Sequence, residues 1–177
     1  MVSHKCRFCN SDLSKIFADL GDSPLANSYL KESDFDNEKF YPLCTFLCEN
    51  CFLVQLEELE TPENIFSEYA YFSSFSTSWV KHAKDYVDMI IPKLSLDEKS
   101  LVIEIASNDG YLLQNFTGKN IPVLGIEPAQ NIAKSAIEKN IPTLTKFFDS
   151  KLAKDLVNEG KIADLIIGNN VFAHVPC

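Results

Sequence analysis

The chain has 177 residues, room for one ordinary domain or two small ones. It is 46% hydrophobic and 23% charged with only six glycines and eight prolines, which excludes a low-complexity or broadly disordered chain. Sixteen basic against 25 acidic side chains leave a net charge of −9, so phosphate backbones are repelled and a nucleic-acid partner is not expected. No apolar run approaches the roughly 20 residues of a membrane span. The start, Met1 to Cys6, carries no apolar signal segment. The expectation is a soluble, cytoplasmic protein that engages no membrane.

Five of the six cysteines fall within the first 51 residues. Cys6-Arg-Phe-Cys9 and Cys48-Glu-Asn-Cys51 are two C-x2-C pairs separated by 38 residues. Each such turn aims two thiolates at one ion, and two of them complete a closed tetrahedral zinc site. A reducing compartment favours the same reading over disulfides. With all four positions filled by Cys6, Cys9, Cys48 and Cys51, no position is open for water, so the zinc is structural. Cys44, four residues before Cys48, is a rival candidate ligand, but the expectation is a small buried side chain beside the site.

Residues 1–60 therefore read as a zinc-binding module, with strand-like pieces at Phe46-Leu47 and Phe52–Leu56 and a polar surface loop over Lys31–Glu38. Residues 61–92 read as a helical linker. Thr61-Pro62-Glu63 is a helix start, and Tyr69–Ser76 is an aromatic and hydroxyl-rich stretch that suits a core segment or a ligand-facing wall. From Ser76, Trp79, Ala83, Tyr86, Val87 and Ile90 recur at helical spacing, and Pro92 is expected to end the run. His82 lies at the edge of that face.

From residue 93 the period changes. Leu101–Ile105, Pro122–Ile126, Thr143–Phe148 and Ala163–Gly168 read as buried strands. They alternate with helices over Tyr111–Phe116, around Ile132, Ala133, Ala136 and Ile137, and from a Ser150 cap to Gly160. The pattern is a parallel α/β domain over 93–177. Ligands bind such sheets beyond the carboxyl ends of the strands. The first of those loops, Glu104–Gly110, lacks the glycines that let a pyrophosphate approach the backbone, so a dinucleotide is disfavoured. Glu104, Ser107, Asn108 and Asp109 suit a ligand with a charged amino-acid end. Glu127, ending the second strand, is placed to accept hydrogen bonds from a ribose. Together these features point to S-adenosylmethionine.

Several strings are more specific. Asp19–Asn27, the two cysteine pairs with Leu53–Leu56, Tyr69–Ser76, Glu104–Leu113, Gly125–Pro128 and Asn169–Pro176 together resemble the nucleotide-sugar C-methyltransferases, in order and over essentially the whole chain. The resemblance implies a Rossmann-like class I methyltransferase sheet, and methyl transfer to the carbon beside the ketone of a nucleotide-linked 4-keto deoxysugar. Carried over by position, Ser107, Asn108, Asp109, Gly110, Glu127 and Asn169 line the cofactor. Tyr69 or Tyr71 reaches the sugar from the wall between domains, and His174 lies near it. The family plan continues past the fourth strand into further strands and a C-terminal domain carrying a Glu-His pair. The resemblance thus implies an incomplete chain, with an uncovered sheet edge that favours self-association. A rival reading is a non-catalytic, zinc-stabilised binding module with a degenerate α/β domain.

Overall fold

A computed structural model describes residues 4–175 of the chain. It divides into two compact units, residues 1–65 and 66–177.

The first unit is two small antiparallel sheets. Strands β1 (His4–Lys5) and β2 (Asp12–Leu13) pair around the first cysteine turn. Strands β3 (Lys15–Pro24), β4 (Phe40–Leu47) and β5 (Val54–Leu56) form the second sheet, in that order, with the second cysteine turn joining β4 to β5. Helix α1 (Pro62–Phe66) begins at Thr61, whose hydroxyl accepts the Asn64 N–H at 3.3 Å. The apolar core is thin. Its buried members are Cys6, Leu13 and Cys48, packed against Phe46, Cys9 and Cys51, while Phe8, Phe17, Leu20 and Phe52 stay exposed. A unit of this size with so little buried carbon needs another source of cohesion.

The second unit is a four-stranded parallel sheet. Helix α2 (Thr77–Leu94) precedes β6 (Val102–Ile105), α3 (Gln114–Thr117), β7 (Val123–Ile126), α4 (Gln130–Glu138), β8 (Thr143–Leu144), α5 (Ser150–Asn158) and β9 (Leu165–Gly168). The strand order is β8-β7-β6-β9, so the chain winds outward one way from β6 and then crosses to its other side. This is the doubly wound, Rossmann-like arrangement, and its switch point lies between β6 and β9. Side chains alternate between two cores. Val102, Val123 and Ile167 face Ala83, Val87, Leu113 and Phe116, whereas Ile103, Leu124 and Ile126 face Leu152 and Leu156. Both faces are covered, as a parallel sheet requires.

Local details depart from the sequence expectations. Helix α2 runs past Pro92 to a left-handed Ser95 at φ 55°. Pro92 removes only a hydrogen bond on the exposed Asp88 side of the last turns, which water can replace. The helix beginning near Tyr111 is α only over Gln114–Thr117, and the third strand is only Thr143–Leu144. Asp149, not Ser150, caps α5, its carboxylate accepting the Leu152 N–H at 2.6 Å. Ile137 is half exposed and off the buried face of α4. The Lys31–Glu38 loop is exposed as expected, but contains a 3-10 turn over Glu32–Asn37. Cys44 is only partly buried and stands outside the sulfur cluster.

Gly110 is the glycine whose backbone the fold requires. It sits at φ 75°, and a Cβ added there would lie 2.3 Å from Ile141 Cδ1. Gly110→Ala is expected to destabilise the second unit by about 1–3 kcal/mol. The urea midpoint of the fluorescence of Trp79, the only tryptophan, reads this out; an unchanged midpoint would refute it.

Candidate functional site

The two cysteine turns are built alike. In the first, the Cys6 N–H donates to Ser11 C=O and the Asn10 N–H returns to Cys6 C=O, both at 2.9 Å, with Asn10 left-handed at φ 59°. In the second, the Cys48 N–H donates to Leu53 C=O at 3.0 Å and the Phe52 N–H to Cys48 C=O at 2.8 Å, with Phe52 at φ 62°. The two hairpins bring Cys6, Cys9, Cys48 and Cys51 together, their sulfurs all within 4.8 Å of one another. Cys6 and Cys51 Sγ are 3.6 Å apart, and Cys9 and Cys48 Sγ 3.5 Å. Four sulfurs about 2.3 Å from a tetrahedral zinc stand roughly 3.8 Å from one another, so the cluster fits that ion.

The surrounding donors favour thiolates. The Cys9 backbone N–H and then the Gln55 amide, 3.2 Å from the sulfur, lower Cys6. The Ser11 hydroxyl chiefly lowers Cys9, to about 5. At Cys51 the Leu53 N–H also lowers the value, but burial and the neighbouring sulfurs outweigh it and push the thiol up to about 12. Crowded thiolates without a cation resist joint ionisation, and a divalent ion removes that conflict.

The second site lies at the carboxyl ends of β6, β7 and β9. A cavity of about 200 Å³ is lined by residues that include Tyr69, Asn108, Glu127, Phe148, Asn169 and His174. None of its lining residues is lysine or arginine. The buried Glu127 accepts the Asn108 N–H and the Ala129 N–H, both at 2.9 Å. Burial raises its carboxyl, and those two donors partly oppose the rise. Behind the cavity, Asn169 Nδ2 donates to Tyr111 Oη at 3.2 Å and approaches Glu104 Oε1 at 3.5 Å. Glu104 Oε2 and Ser107 Oγ are buried with no protein partner among the described residues. Burial, with the charges of Glu127 and Asp109 adding to it, holds the Glu104 carboxyl well above the ordinary range. A lining that carries the Glu127 carboxyl and no lysine or arginine suits a ligand bearing N–H or O–H donors and positive charge, and disfavours phosphates.

The sequence-predicted residues divide. Tyr69, Asn108, Glu127, Asn169 and His174 line one cavity. Glu104 and Ser107 are buried outside its lining, and a Cβ added at Gly110 would meet Ile141 and Ala136. One oxygen of Asp109 takes hydrogen bonds from Ser74 and from Lys139, the latter at 3.2 Å, while Oδ1 is buried without a partner. The Tyr71 side chain is half exposed and outside the lining, its C=O accepting from Asn108 Nδ2 at 3.0 Å. His82 stacks on Trp79. The sequence reading missed Phe66, whose ring meets both Tyr69 and His174 edge-on, at 6.2 and 5.6 Å. It also placed Phe147 and Phe148 inside the third strand, whereas they follow β8 and line the cavity.

The sulfur cluster and the doubly wound sheet define a chain with a four-cysteine module and a Rossmann-like α/β unit. Comparison with known proteins agrees with both. Residues 6–66 match the family described as "Putative zinc binding domain". Over 173 residues the chain is 30% identical to the C-methyltransferase NovU of Streptomyces niveus, an alignment that covers 97% of this chain and 41% of that protein. The chain therefore spans about two fifths of that relative's length. Among the described residues no helix is long and apolar enough to cross a membrane.

Two outcomes are expected. Purified protein holds about one zinc per chain, and chelation opens the first unit to protease while the Trp79 transition of the second stays in place; less than about half an equivalent, or no loss of structure, would refute the site. Because the Glu104 pKa is raised on folding, the folded state holds the proton more tightly, so stability falls as pH rises through the window above about 4.5. Glu104→Gln, a mimic of the protonated acid, should melt a few degrees above the parent at pH 8 and level with it near pH 4. A constant difference across that range would contradict the linkage.

Proposed function

We propose that this chain supplies the zinc module and cofactor-binding unit of a cytoplasmic, S-adenosylmethionine-dependent C-methyltransferase whose substrate is a nucleotide-linked 4-keto deoxysugar. The observation that carries the reading is the floor of the β6–β7–β9 cavity. Glu127 lines it, fixed by two backbone N–H groups, and outside the lining Glu104 Oε2 and Ser107 Oγ are buried without a protein partner. Neither a glycine-rich phosphate loop nor a basic residue lines the site. An adenosyl group with an ammonium-bearing tail matches these needs, and a dinucleotide does not. The similarity to a C-methyltransferase supports the same reading.

In this reading Glu127 accepts hydrogen bonds from the ribose hydroxyls, its second lone pairs remaining available beyond the two backbone donors. Ile105, Ile126, Phe147 and Phe148 offer apolar walls for the base. Asn169, with Glu104 behind it, faces the amino-acid end. When bound, the cofactor supplies an electrophilic methyl group. The ketone acidifies the neighbouring C–H of the sugar, a base removes that proton, and the resulting enolate carbon is the nucleophile. Tyr69 and His174 are the lining residues able to exchange a proton on the substrate side; Tyr71 requires rotation of its exposed ring to join them.

The test is calorimetric titration of S-adenosylhomocysteine into the zinc-loaded chain. Saturable binding is expected, weakened at least tenfold by Glu127→Ala and less by Glu127→Gln, which keeps one carbonyl oxygen. An unchanged affinity in Glu127→Ala, with the Trp79 transition intact, would refute the site. No binding by the parent chain would favour the non-catalytic module.

A further inference from the structure

Between α1 and the 3-10 turn at Ser73–Phe75, residues 67–72 pair with no strand, yet they are tied down at every second or third residue. The ties come from the turn after β6 and the first turn of α4. The Ser67 C=O accepts the Gln130 N–H at 3.1 Å. The Tyr69 N–H donates to Asn131 Oδ1 at 3.2 Å, and Asn131 Nδ2 donates back to the Tyr69 C=O at 2.7 Å. The Tyr71 C=O and the Ser73 N–H are held by the two ends of the Asn108 amide, at 3.0 and 2.8 Å. The Ser74 hydroxyl closes the series on Asp109.

Two side-chain amides therefore do what a neighbouring strand would do: each offers one donor and one acceptor to the backbone of an otherwise unpaired segment. They differ in one respect. Asn108 lines the cavity, whereas Asn131 is exposed on the first turn of α4 and lies outside the lining. Both hydrogen bonds of its side-chain amide go to one residue, Tyr69, which does line the cavity. An exposed asparagine in a helix contributes nothing to helix stability relative to alanine. Its contribution is to the segment it holds.

We infer that Asn131 is a positioning residue: by bracketing the Tyr69 peptide it fixes where the Tyr69 ring stands at the cavity. The inference rests on the proposed function for what Tyr69 faces, but not for the bracket itself. The geometry separates Asn131 from the cofactor floor and from the two apolar cores, so its removal acts locally.

The experiment compares the parent chain with Asn131→Ala and Tyr69→Phe, using amide hydrogen exchange of the ligand-free protein, resolved by residue. In Asn131→Ala the Tyr69 amide is expected to exchange roughly tenfold faster. The Ser73 amide, held by Asn108, and the Trp79 unfolding midpoint stay as in the parent. Tyr69→Phe keeps the parent exchange rate, because the bracket uses backbone only. Unchanged exchange at Tyr69 in Asn131→Ala overturns the inference, and so does a uniform acceleration across the unit with a lowered midpoint, which marks a merely structural residue. S-adenosylhomocysteine titration supplies the second arm. Affinity within about threefold of the parent is expected for Asn131→Ala, since the residue lies off the floor. A loss as large as that of Glu127→Ala overturns the positioning role. A parent chain that fails to bind at all counts against the proposed function, while the exchange data still decide the bracket.

Discussion

The backbone of Asn108, held left-handed at φ 51°, directs its N–H onto Glu127 and leaves both ends of its side-chain amide for residues 71 and 73. Three parts of the site depend on that one conformation. The carboxylate at the end of β7 gains one of its two backbone donors, the turn after β6 acquires its shape, and the aromatic segment gains an anchor. Asparagine is among the few residues that adopt such a φ readily, because its short amide can satisfy local partners. Here the amide serves the segment across from it, so the backbone and side-chain roles of Asn108 are inseparable.

The first unit follows a different logic. It exposes much of its aromatic surface and buries little carbon, and its order comes from two hairpin turns that reproduce one another hydrogen bond for hydrogen bond. The β strands that carry the turns are short or irregular; β3 shifts register twice along β4. Cohesion is thus concentrated at four sulfurs, with Gln55 reaching in to Cys6 and to the Arg7 N–H. In the second unit it is spread across two apolar cores. The two halves of the chain answer to different physical variables, one to metal and redox state, the other to hydrophobic burial.

Much of this was legible in the sequence, for identifiable reasons. Strands β6, β7 and β9 are short β-branched runs, which sheets buried on both faces require, and the paired C-x2-C turns specify their ligands by spacing alone. That Glu127 and Asn108 line one cavity was legible because strand ends in this topology converge on one crevice, whereas Asn169 came only from the resemblance. Strand β3 was not, since most of its residues are exposed and its bulges break the alternation that marks a strand. The direction of Asp109, toward Ser74 and Lys139, depends on how α4 docks, which no local pattern encodes. Nor could the bracket around Tyr69 be read, because side-chain-to-backbone pairing leaves no period in the sequence.

The turn after β6 holds Ala106, Asn108 and Gly110 all at positive φ, at 53°, 51° and 75°. For Ala106 in particular that conformation costs on the order of 1 kcal/mol, which the fold absorbs once, when the sheet assembles. A chain segment already confined in this way has little conformational freedom left to lose when a small molecule arrives. The turn therefore adds little ordering cost to any ligand that this crevice accepts.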